Sequence, residues 1–239
     1  MMDKSASPVL LGAQRVLQRR LDMVANNVAN MGTGGFRAQR LVTSEEISSS
    51  PMASISMPRA GSGLTDTAPG ERRATGGALD FAIDGPGFFL LQDESGEQFM
   101  SRNGAFSTDA EGRLTDAAGA FVLGAGGAPI AIPDGEGPVV AASDGTLSRD
   151  GQAIGAIAII AAPSTPERIG AARFAAPGDA APIEAPRLSQ GFLESSNVNP
   201  VEELAEMIAT TRLYELVQGL VEREDERVRN VIETFSRST

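Results

Sequence analysis

Hydrophobic positions near the N-terminus repeat every seven residues. One phase of the repeat holds Leu10, Leu17, Val24 and Met31, and the complementary phase holds Gln14, Leu21 and Val28. A seven-residue repeat places these side chains along one stripe of a helix. Ser7 followed by Pro8 is typical of a helix start. The pattern predicts a helix over residues 8 to 31, whose stripe packs either on its own domain's core or on another helix.

The C-terminal residues 199 to 236 carry a second, longer repeat with steps of three and four. Its members are Met207, Thr210, Tyr214, Val217, Val221, Glu224, Val228, Val231 and Phe235. Asn199 suits a helix cap, Pro200 suits the first turn, and the acidic Glu202 and Glu203 follow where the helix dipole favours negative charge. Neither predicted helix has a second long helix nearby in the sequence. Each stripe is therefore expected to be buried on the other helix or on another molecule.

Between the two repeats, residues 79 to 192 have the pattern of an all-β region. Short apolar runs alternate with turn sequences at Asp93–Gly96, Asp109–Gly112, Asp116–Gly119, Asp144–Gly145 and Asp150–Gly151. Such turns between apolar runs are typical of hairpins. The best single strand candidate is the run from 154 to 162, which ends before Pro163. The pattern predicts a barrel-like or sandwich-like module of roughly 110 residues.

Residues 43 to 78 show no period that lasts more than a few positions. Ser, Thr, Gly, Pro and Ala dominate this stretch. The composition indicates a linker, which either contains short strands, such as one around Ile55, or becomes ordered only against a partner.

The composition excludes several kinds of function. The chain has no His, which removes the commonest general base near neutral pH, and no Cys, which removes disulfides and thiolate sites. The net charge of −11 disfavours binding to nucleic acid or to anionic lipid. The sequence has no apolar run of transmembrane length and no signal-peptide core. If the protein leaves the cytoplasm, we expect it to do so without a cleaved signal.

Four segments resemble the flagellar axial family, the rod and hook proteins of bacterial flagella. The segment ANNVANMGTGGFRAQ resembles the family's N-terminal signature, and TGGALDFAIDGPGFFLL resembles the start of its β-domain. The segment SRNGAFSTDAEGRLTDAAGAFVLG is similar to the next hairpins of the family's β-domain. The segment GFLESSNVNPVEELAEMIATTRLYE resembles the family's C-terminal signature. The segments occur in the family's order and cover most of the chain outside the linker.

The resemblance implies an α+β fold in which the long N- and C-terminal helices pair into a coiled-coil-like inner domain. We expect this domain to use residues 1–42 and 193–239, with a linker at 43–78 and a central all-β domain at 79–192. Residues 128 to 148, the short central region and the SNVNPVE segment most resemble a proximal rod member, with a distal rod member as the alternative. Two features depart from the family pattern: the Ser- and Pro-rich linker, and Tyr214 as the only Tyr.

The resemblance also implies a structural function. Subunits would stack helically into a hollow drive shaft that transmits torque and allows export of later subunits. The expected partners are copies of the chain, other rod proteins and the flagellar type III export apparatus. The expected location is the basal-body rod in the periplasmic space. No cofactor, metal or catalytic residue is expected.

The candidate assembly residues lie in the two terminal segments. They are Leu10, Leu17, Leu21, Val24, Asn26, Asn27, Val28, Asn30, Met31, Gly35, Phe36, Asn197, Asn199, Met207, Ile208, Arg212, Tyr214, Val217, Val221 and Val228. The three asparagines near residue 27 either fix the register between subunits, as polar residues do in coiled coils, or simply fray the helix end. Phe36 is expected to anchor the chain after the N-terminal helix. Asn197 and Asn199 are expected to cap the start of the C-terminal helix.

Two other classes of protein remain open from the residues alone. Asp80 and Asp84 could form a glycosidase-type acid/base pair, although both flank a Gly-Pro-Gly turn where a structural role is favoured. The Asp/Gly turns could also belong to a calcium-binding adhesin module. They lack the alternating ligand spacing of a calcium loop.

Overall fold

Two compact units make up the chain in the computed structural model, which describes residues 6–50, 53–178 and 182–237. The first, which we call the helical unit, contains the described parts of Met1–Ala29, Gln39–Leu64 and Asn199–Thr239. The second, the β-unit, contains Asn30–Ala38 and the described parts of Thr65–Val198. The α+β class, the two terminal helices and the central β-rich region are as predicted.

The helical unit contains helices α1 (Ala6–Ala29) and α2 (Pro200–Arg237). They lie side by side and antiparallel, because Gln14 Nε2 donates a hydrogen bond of 3.2 Å to Tyr214 Oη while Arg20 pairs with Glu206. Among the described side chains of α2, Thr210 and Val217 are buried. They lie one turn to either side of Tyr214, so this part of the predicted stripe faces α1, whereas the side chains of Val231 and Phe235 lie outside the described ones.

The helix bounds follow from local sequence. α1 begins at Ala6 and ends at Ala29, two residues earlier at each end than the repeat predicts. Asn30 lies in the turn that follows, where the Thr33 N–H donates to the Asn30 carbonyl. At the start of α2, Asn199 Oδ1 accepts the Val201 N–H at 3.1 Å, so Asn199 caps the helix as its position indicates.

Much of the stretch from 43 to 78 lies in regular structure. Strands β1 (Gln39–Ser50) and β2 (Ala53–Thr65) pair into a two-stranded sheet within the helical unit. Ile55 lies in β2, but its side chain is outside the described ones. Val42 and Leu64 are exposed apolar residues of these strands. A two-stranded sheet need not bury a continuous face, so its sequence need not show the alternation that identifies a half-buried strand.

The β-unit is built from fourteen short strands among its described residues. They are β3 (Arg72–Ala74), β4 (Phe81–Ile83), β5 (Phe88–Gln92), β6 (Gln98–Ser101), β7 (Phe106–Thr108), β8 (Leu114–Asp116), β9 (Phe121–Val122), β10 (Val139–Ala141), β11 (Thr146–Arg149), β12 (Gln152–Ala156), β13 (Ile159–Ile160), β14 (Arg173–Ala175), β15 (Leu188–Gln190) and β16 (Phe192–Glu194). The largest sheet has the order β14-β6-β5-β9-β8-β7, with β13 also paired to β5. A second sheet has the order β10-β11-β12, and the pairs β15-β4 and β16-β3 form small sheets.

The five predicted turns each join two neighbouring antiparallel strands. The glycine that ends each turn has a positive φ, from 77° at Gly112 to 90° at Gly96. This left-handed conformation explains why glycine occupies these positions.

Strand β5 is the centre of the core and is covered on both faces. Phe89 and Leu91 belong to one buried cluster, while Phe88 and Leu90 belong to another on the opposite side. Successive strand residues point to opposite faces, so a strand covered on both sides reads as a continuous apolar run. The predicted strand at 154–162 is in fact divided between β12 and β13, which pair with different sheets. In the described part of the chain, no helix is long and apolar enough to cross a bilayer.

Candidate functional site

A buried carboxylate lies between two guanidinium groups in the β-unit. Glu194 Oε1 is 2.5 Å from Arg37 Nη1, and Glu194 Oε2 is 3.1 Å from Arg102 Nε. Oε1 also accepts the backbone N–H of Gly70 at 3.1 Å. All three charged side chains are at least 96% buried. Removing one partner from such a group leaves a buried charge without compensation, which is strongly destabilising.

The Gly-Pro-Gly turn before β5 holds Arg102 in place. Its Nη1 and Nη2 atoms donate hydrogen bonds of 2.8 Å to the carbonyls of Gly87 and Gly85. Burial lowers the pKa of the Arg102 guanidinium; Glu194 raises it and Arg37 lowers it further. Arg102 thus links the turn to the carboxylate.

Gly35 allows the N-terminal signature to approach this carboxylate. Its φ is +67°, and a Cβ at this position would lie 2.4 Å from the Arg102 carbonyl carbon and the Asn103 nitrogen. The Gly35 N–H donates to the backbone carbonyl of Glu194 at 2.8 Å. Glycine is therefore required both for the backbone conformation and for the close packing. The two residues that follow, Phe36 and Arg37, are carried into the interior.

The side chain of Asn197 links its own segment to two distant segments of the chain by hydrogen bonds. Its Oδ1 accepts the Ala38 N–H at 2.6 Å, and its Nδ2 donates to the carbonyls of Asp66 and Ala68 at 3.1 and 2.9 Å. The sequence led us to expect a helix cap at this position. Asn197 instead uses both ends of its amide to bind backbone groups from distant segments.

Phe36 is fully buried, as expected for an anchor, and packs with Ala38 and Val198. The guanidinium of Arg168 lies over the rings of Phe36 and Phe174, 4.7 and 4.9 Å from their centroids. Arg168 also donates hydrogen bonds to the carbonyls of Ala171 and Arg37. Burial lowers the pKa of Arg168 to about 10. We call Phe36, Arg37, Arg102, Arg168, Glu194 and Asn197 the junction cluster.

In the helical unit, Asn27 binds the first residue of β1. Its Oδ1 accepts the Gln39 N–H and its Nδ2 donates to the Gln39 carbonyl, each at 2.9 Å. Asn27 is 1% exposed, whereas the neighbouring Asn26 is exposed. Thr33 Oγ1 donates to Asn30 Oδ1 at 3.2 Å. The three asparagines thus have three different environments.

A row of apolar side chains runs along α2 and is exposed in the single chain. Leu204, Ile208, Leu216 and Leu220 follow one another at multiples of four residues, with Arg212 in the middle of the series. Their exposed fractions run from 39% for Leu220 to 59% for Leu216. We call these five residues the α2 row. Residues four apart lie next to one another on a helix, so the row forms a continuous ridge.

The predicted assembly residues fall into three groups by burial. The buried ones are Leu17, Val24, Asn27, Gly35, Phe36 and Val217; the half-buried ones are Leu10, Leu21, Val28, Asn30, Asn197, Met207, Tyr214 and Val221; the exposed ones are Asn26, Met31, Asn199, Ile208, Arg212 and Val228. The structure brings Gly35, Phe36 and Asn197 together at the junction cluster.

Sequence reasoning did not find the ion pairs of the junction cluster or most of the α2 row. Arg37, Arg102 and Glu194 lie within the segments that resemble the family, and no local pattern there pairs them with one another. A usable signal was present, since Glu194 and Arg102 each follow closely on an apolar strand sequence, where a charge needs a partner. Leu204, Leu216 and Leu220 do not belong to the C-terminal repeat that runs from Met207 to Phe235.

The carboxylates considered for catalysis or calcium binding have local partners. Asp80 Oδ2 accepts a hydrogen bond from Thr75 Oγ1, and Asp84 pairs with Arg72 at 3.3 Å. In the turns, Asp93 Oδ1 accepts the N–H groups of its own loop. Within the described ranges, no group of three or more metal-ligating residues is suitably placed for an ion.

Three family models match separate parts of the chain. Residues 9–37 match the model described as flagella basal body rod protein, and residues 82–153 match the flagellar hook protein FlgE/F/G D1 domain. Residues 189–234 match the C-terminal domain of the flagellar basal body rod FlgEFG proteins. Each of the three matched segments supplies one charged residue to the junction cluster, namely Arg37, Arg102 and Glu194.

Individual relatives align over nearly the whole chain. The flagellar basal-body rod protein FlgF of Mesorhizobium japonicum is 34% identical over 229 residues, which are 89% of this chain and 90% of the relative. FlgF of Caulobacter vibrioides is also 34% identical, over 95% of this chain and 96% of the relative. The rod protein FlgG of Bacillus subtilis is 29% identical, over 93% of this chain and 96% of the relative.

Proposed function

The chain belongs to the flagellar basal-body rod and hook protein family, and on that premise we propose that it polymerises through its terminal helices into a hollow shaft. The protein is a structural rod subunit, and its rod relatives are not enzymes. The shaft would transmit torque and let later subunits pass through its centre.

The α2 row is the observation that carries this proposal. The part of the predicted stripe around Tyr214 already faces α1, so the exposed row is a second apolar surface on the same helix. Its large aliphatic side chains are already about half buried, so covering what remains exposed would contribute about 1 kcal/mol for each. A contact between this row and a different face of a neighbour would not close into a dimer, and such contacts generate helical arrays.

The two helices would form a coiled-coil-like inner domain from residues 1–42 and 193–239, with 43–78 as the connection to an outer domain at 79–192. The antiparallel contact through Gln14 and Tyr214 supports the pairing. The burial of β5 on both faces supports a sandwich-like arrangement of the outer domain rather than a single open layer.

Within the candidate assembly set, burial suggests a division of roles. Buried members such as Leu17 and Val217 would shape the helix pair, and exposed members such as Ile208 and Val228 would contact neighbours. Both the oxygen and the nitrogen of the Asn27 side-chain amide are hydrogen-bonded to the backbone of Gln39. Asn27 would therefore stabilise the single chain rather than fix the register between subunits.

We place the subunit in the proximal rod, as FlgF, with the distal rod protein FlgG as the alternative. The 34% identity to the two FlgF relatives named above, against 29% to the FlgG relative, supports this order. Its partners would be copies of itself, other rod proteins and the type III export apparatus. It would lie in the periplasmic part of the basal body.

The proposal is tested by introducing one aspartate into the α2 row. Leu216→Asp and Ile208→Asp, expressed in cells that lack the native gene, should be exported but give no complete rods by electron cryomicroscopy and no motility. Val140→Asp is the matched control, because Val140 is an equally exposed apolar residue on β10 of the β-unit. Complete rods containing either α2 variant would refute the proposal.

A further inference from the structure

Two short segments of the β-unit lie next to the chain ends that form the helices. Residues 34–38 connect the turn after α1 to β1, and residues 194–198 lead directly into α2. The two segments are bound to each other by the Gly35–Glu194 backbone bond and the Arg37–Glu194 ion pair. In the opposite direction, the Asn197 N–H donates to the Phe36 carbonyl at 3.2 Å.

A third segment, residues 66–71, completes the set. The Asp66 N–H donates to the Ala38 carbonyl, and the Ser195 N–H donates to the Glu71 carbonyl, each at 2.8 Å. The side chains of Asn197 and Glu194 bind this third segment as well. The first segment therefore needs the second to satisfy its polar groups, and the third binds both.

We infer that Glu194 and Asn197 are positioning residues that couple the two terminal segments, so that 34–38 and 194–198 dock onto the rest of the β-unit only together. The reason is electrostatic. Docking 34–38 alone would bury the Arg37 guanidinium without its carboxylate, and docking 194–198 alone would leave Glu194 without one of its two arginines. Each half-docked state buries an incompletely compensated charge, so both are depopulated.

This coupling would order residues 34–38 and 194–198 in a single step. It goes beyond polymerisation and does not depend on it, since it is a property of the single chain. Loss of rod assembly and loss of coupling are therefore separate results.

Amide hydrogen exchange, followed by NMR on the isotope-labelled full chain, tests the inference. Arg37→Met perturbs the first segment, and exchange is then read in the second, at Ser195 and Asn197. We expect both amides to exchange at least about tenfold faster than in the unmodified chain. The Met100 amide in the central sheet serves as the reference for global opening, and in the variant Ser195 and Asn197 should exchange faster than Met100, as a sub-global opening requires.

Two further variants separate coupling from local damage. Arg37→Lys keeps a cation beside Glu194 and should restore much of the protection at Ser195. Asn197→Ala should accelerate exchange at Gly35 and Phe36, whose N–H groups do not bind the Asn197 side chain. The matched control is Asn199→Ala, which removes the exposed cap of α2 two residues away and should leave Gly35 and Phe36 protected.

The inference is overturned if Arg37→Met accelerates exchange only within 34–38 and leaves Ser195 and Asn197 as protected as before. It is also overturned if Arg37→Lys gives no more protection at Ser195 than Arg37→Met. If Arg37→Met unfolds the chain as a whole, Arg37→Lys and Asn197→Ala decide the question by the same readings.

Discussion

Asn27 and Gln39 form a closed pair of hydrogen bonds, in which the side-chain amide of one binds both backbone polar groups of the other at 2.9 Å. Asn27 lies in the last turn of α1, and Gln39 is the first residue of β1. The chain between them, residues 30–38, belongs to the β-unit. The side-chain amide of Asn27 therefore holds the first residue that follows in the helical unit, Gln39, against the end of α1.

Replacing Asn27 should destabilise this return. Asn27→Ala removes both bonds and leaves the backbone groups of Gln39 without their partner, so the free energy of unfolding should fall by about 2 kcal/mol. Gln18→Ala removes an exposed side-chain amide from the same helix and should change the free energy of unfolding by no more than about 0.5 kcal/mol. Denaturant unfolding followed by circular dichroism compares the two. Equal losses would show that the Gln39 bonds contribute nothing specific.

Gly35 should tolerate no side chain. Gly35→Ala places a methyl group 2.4 Å from backbone atoms of Arg102 and Asn103 and forces a positive φ on alanine. The loss of stability should be about 3 kcal/mol or more, because backbone rather than a flexible side chain must move. Gly32→Ala is the control in the same loop, since a Cβ there meets nothing within 4 Å. A Gly35→Ala protein as stable as Gly32→Ala would contradict the packing described for the junction cluster.

The sequence predicts what is locally determined. The seven-residue repeats give the helices, and Asp-x-x-Gly turns give hairpins, because the aspartate side chain and the left-handed glycine act within a few residues. The junction cluster cannot be found this way, since Glu194 meets Arg37 and Arg102 from distant parts of the chain. The division of 154–162 between two sheets is equally non-local. The α2 row was missed because a helix with two apolar faces shows more than one periodic series.

The turn aspartates should make the stability of the protein depend on pH in the acidic range. Backbone and side-chain hydrogen bonds from Thr146 lower the pKa of Asp144 below its ordinary value. A carboxyl whose pKa is lower in the folded state stabilises the protein above its unfolded pKa, and this contribution disappears as the pH falls through the folded pKa.

Asp144→Asn should therefore lower the melting temperature at neutral pH, and the difference from the unmodified chain should shrink as the pH falls below about 4. Melting curves at a series of pH values measure it. A difference that stays constant down to the lowest pH would mean that the charge of Asp144 is not involved.

The central claim is that neighbouring subunits cover the α2 row in the rod, and the absence of Cys from the chain allows a direct test. A single cysteine is introduced by Leu216→Cys, with Ala117→Cys as the control at an exposed turn of the β-unit. Maleimide labelling is then compared between the purified chain and isolated basal bodies. We predict that both positions react in the free chain and that only position 216 becomes protected by at least about tenfold on assembly. Equal labelling of position 216 in both states would contradict the claim.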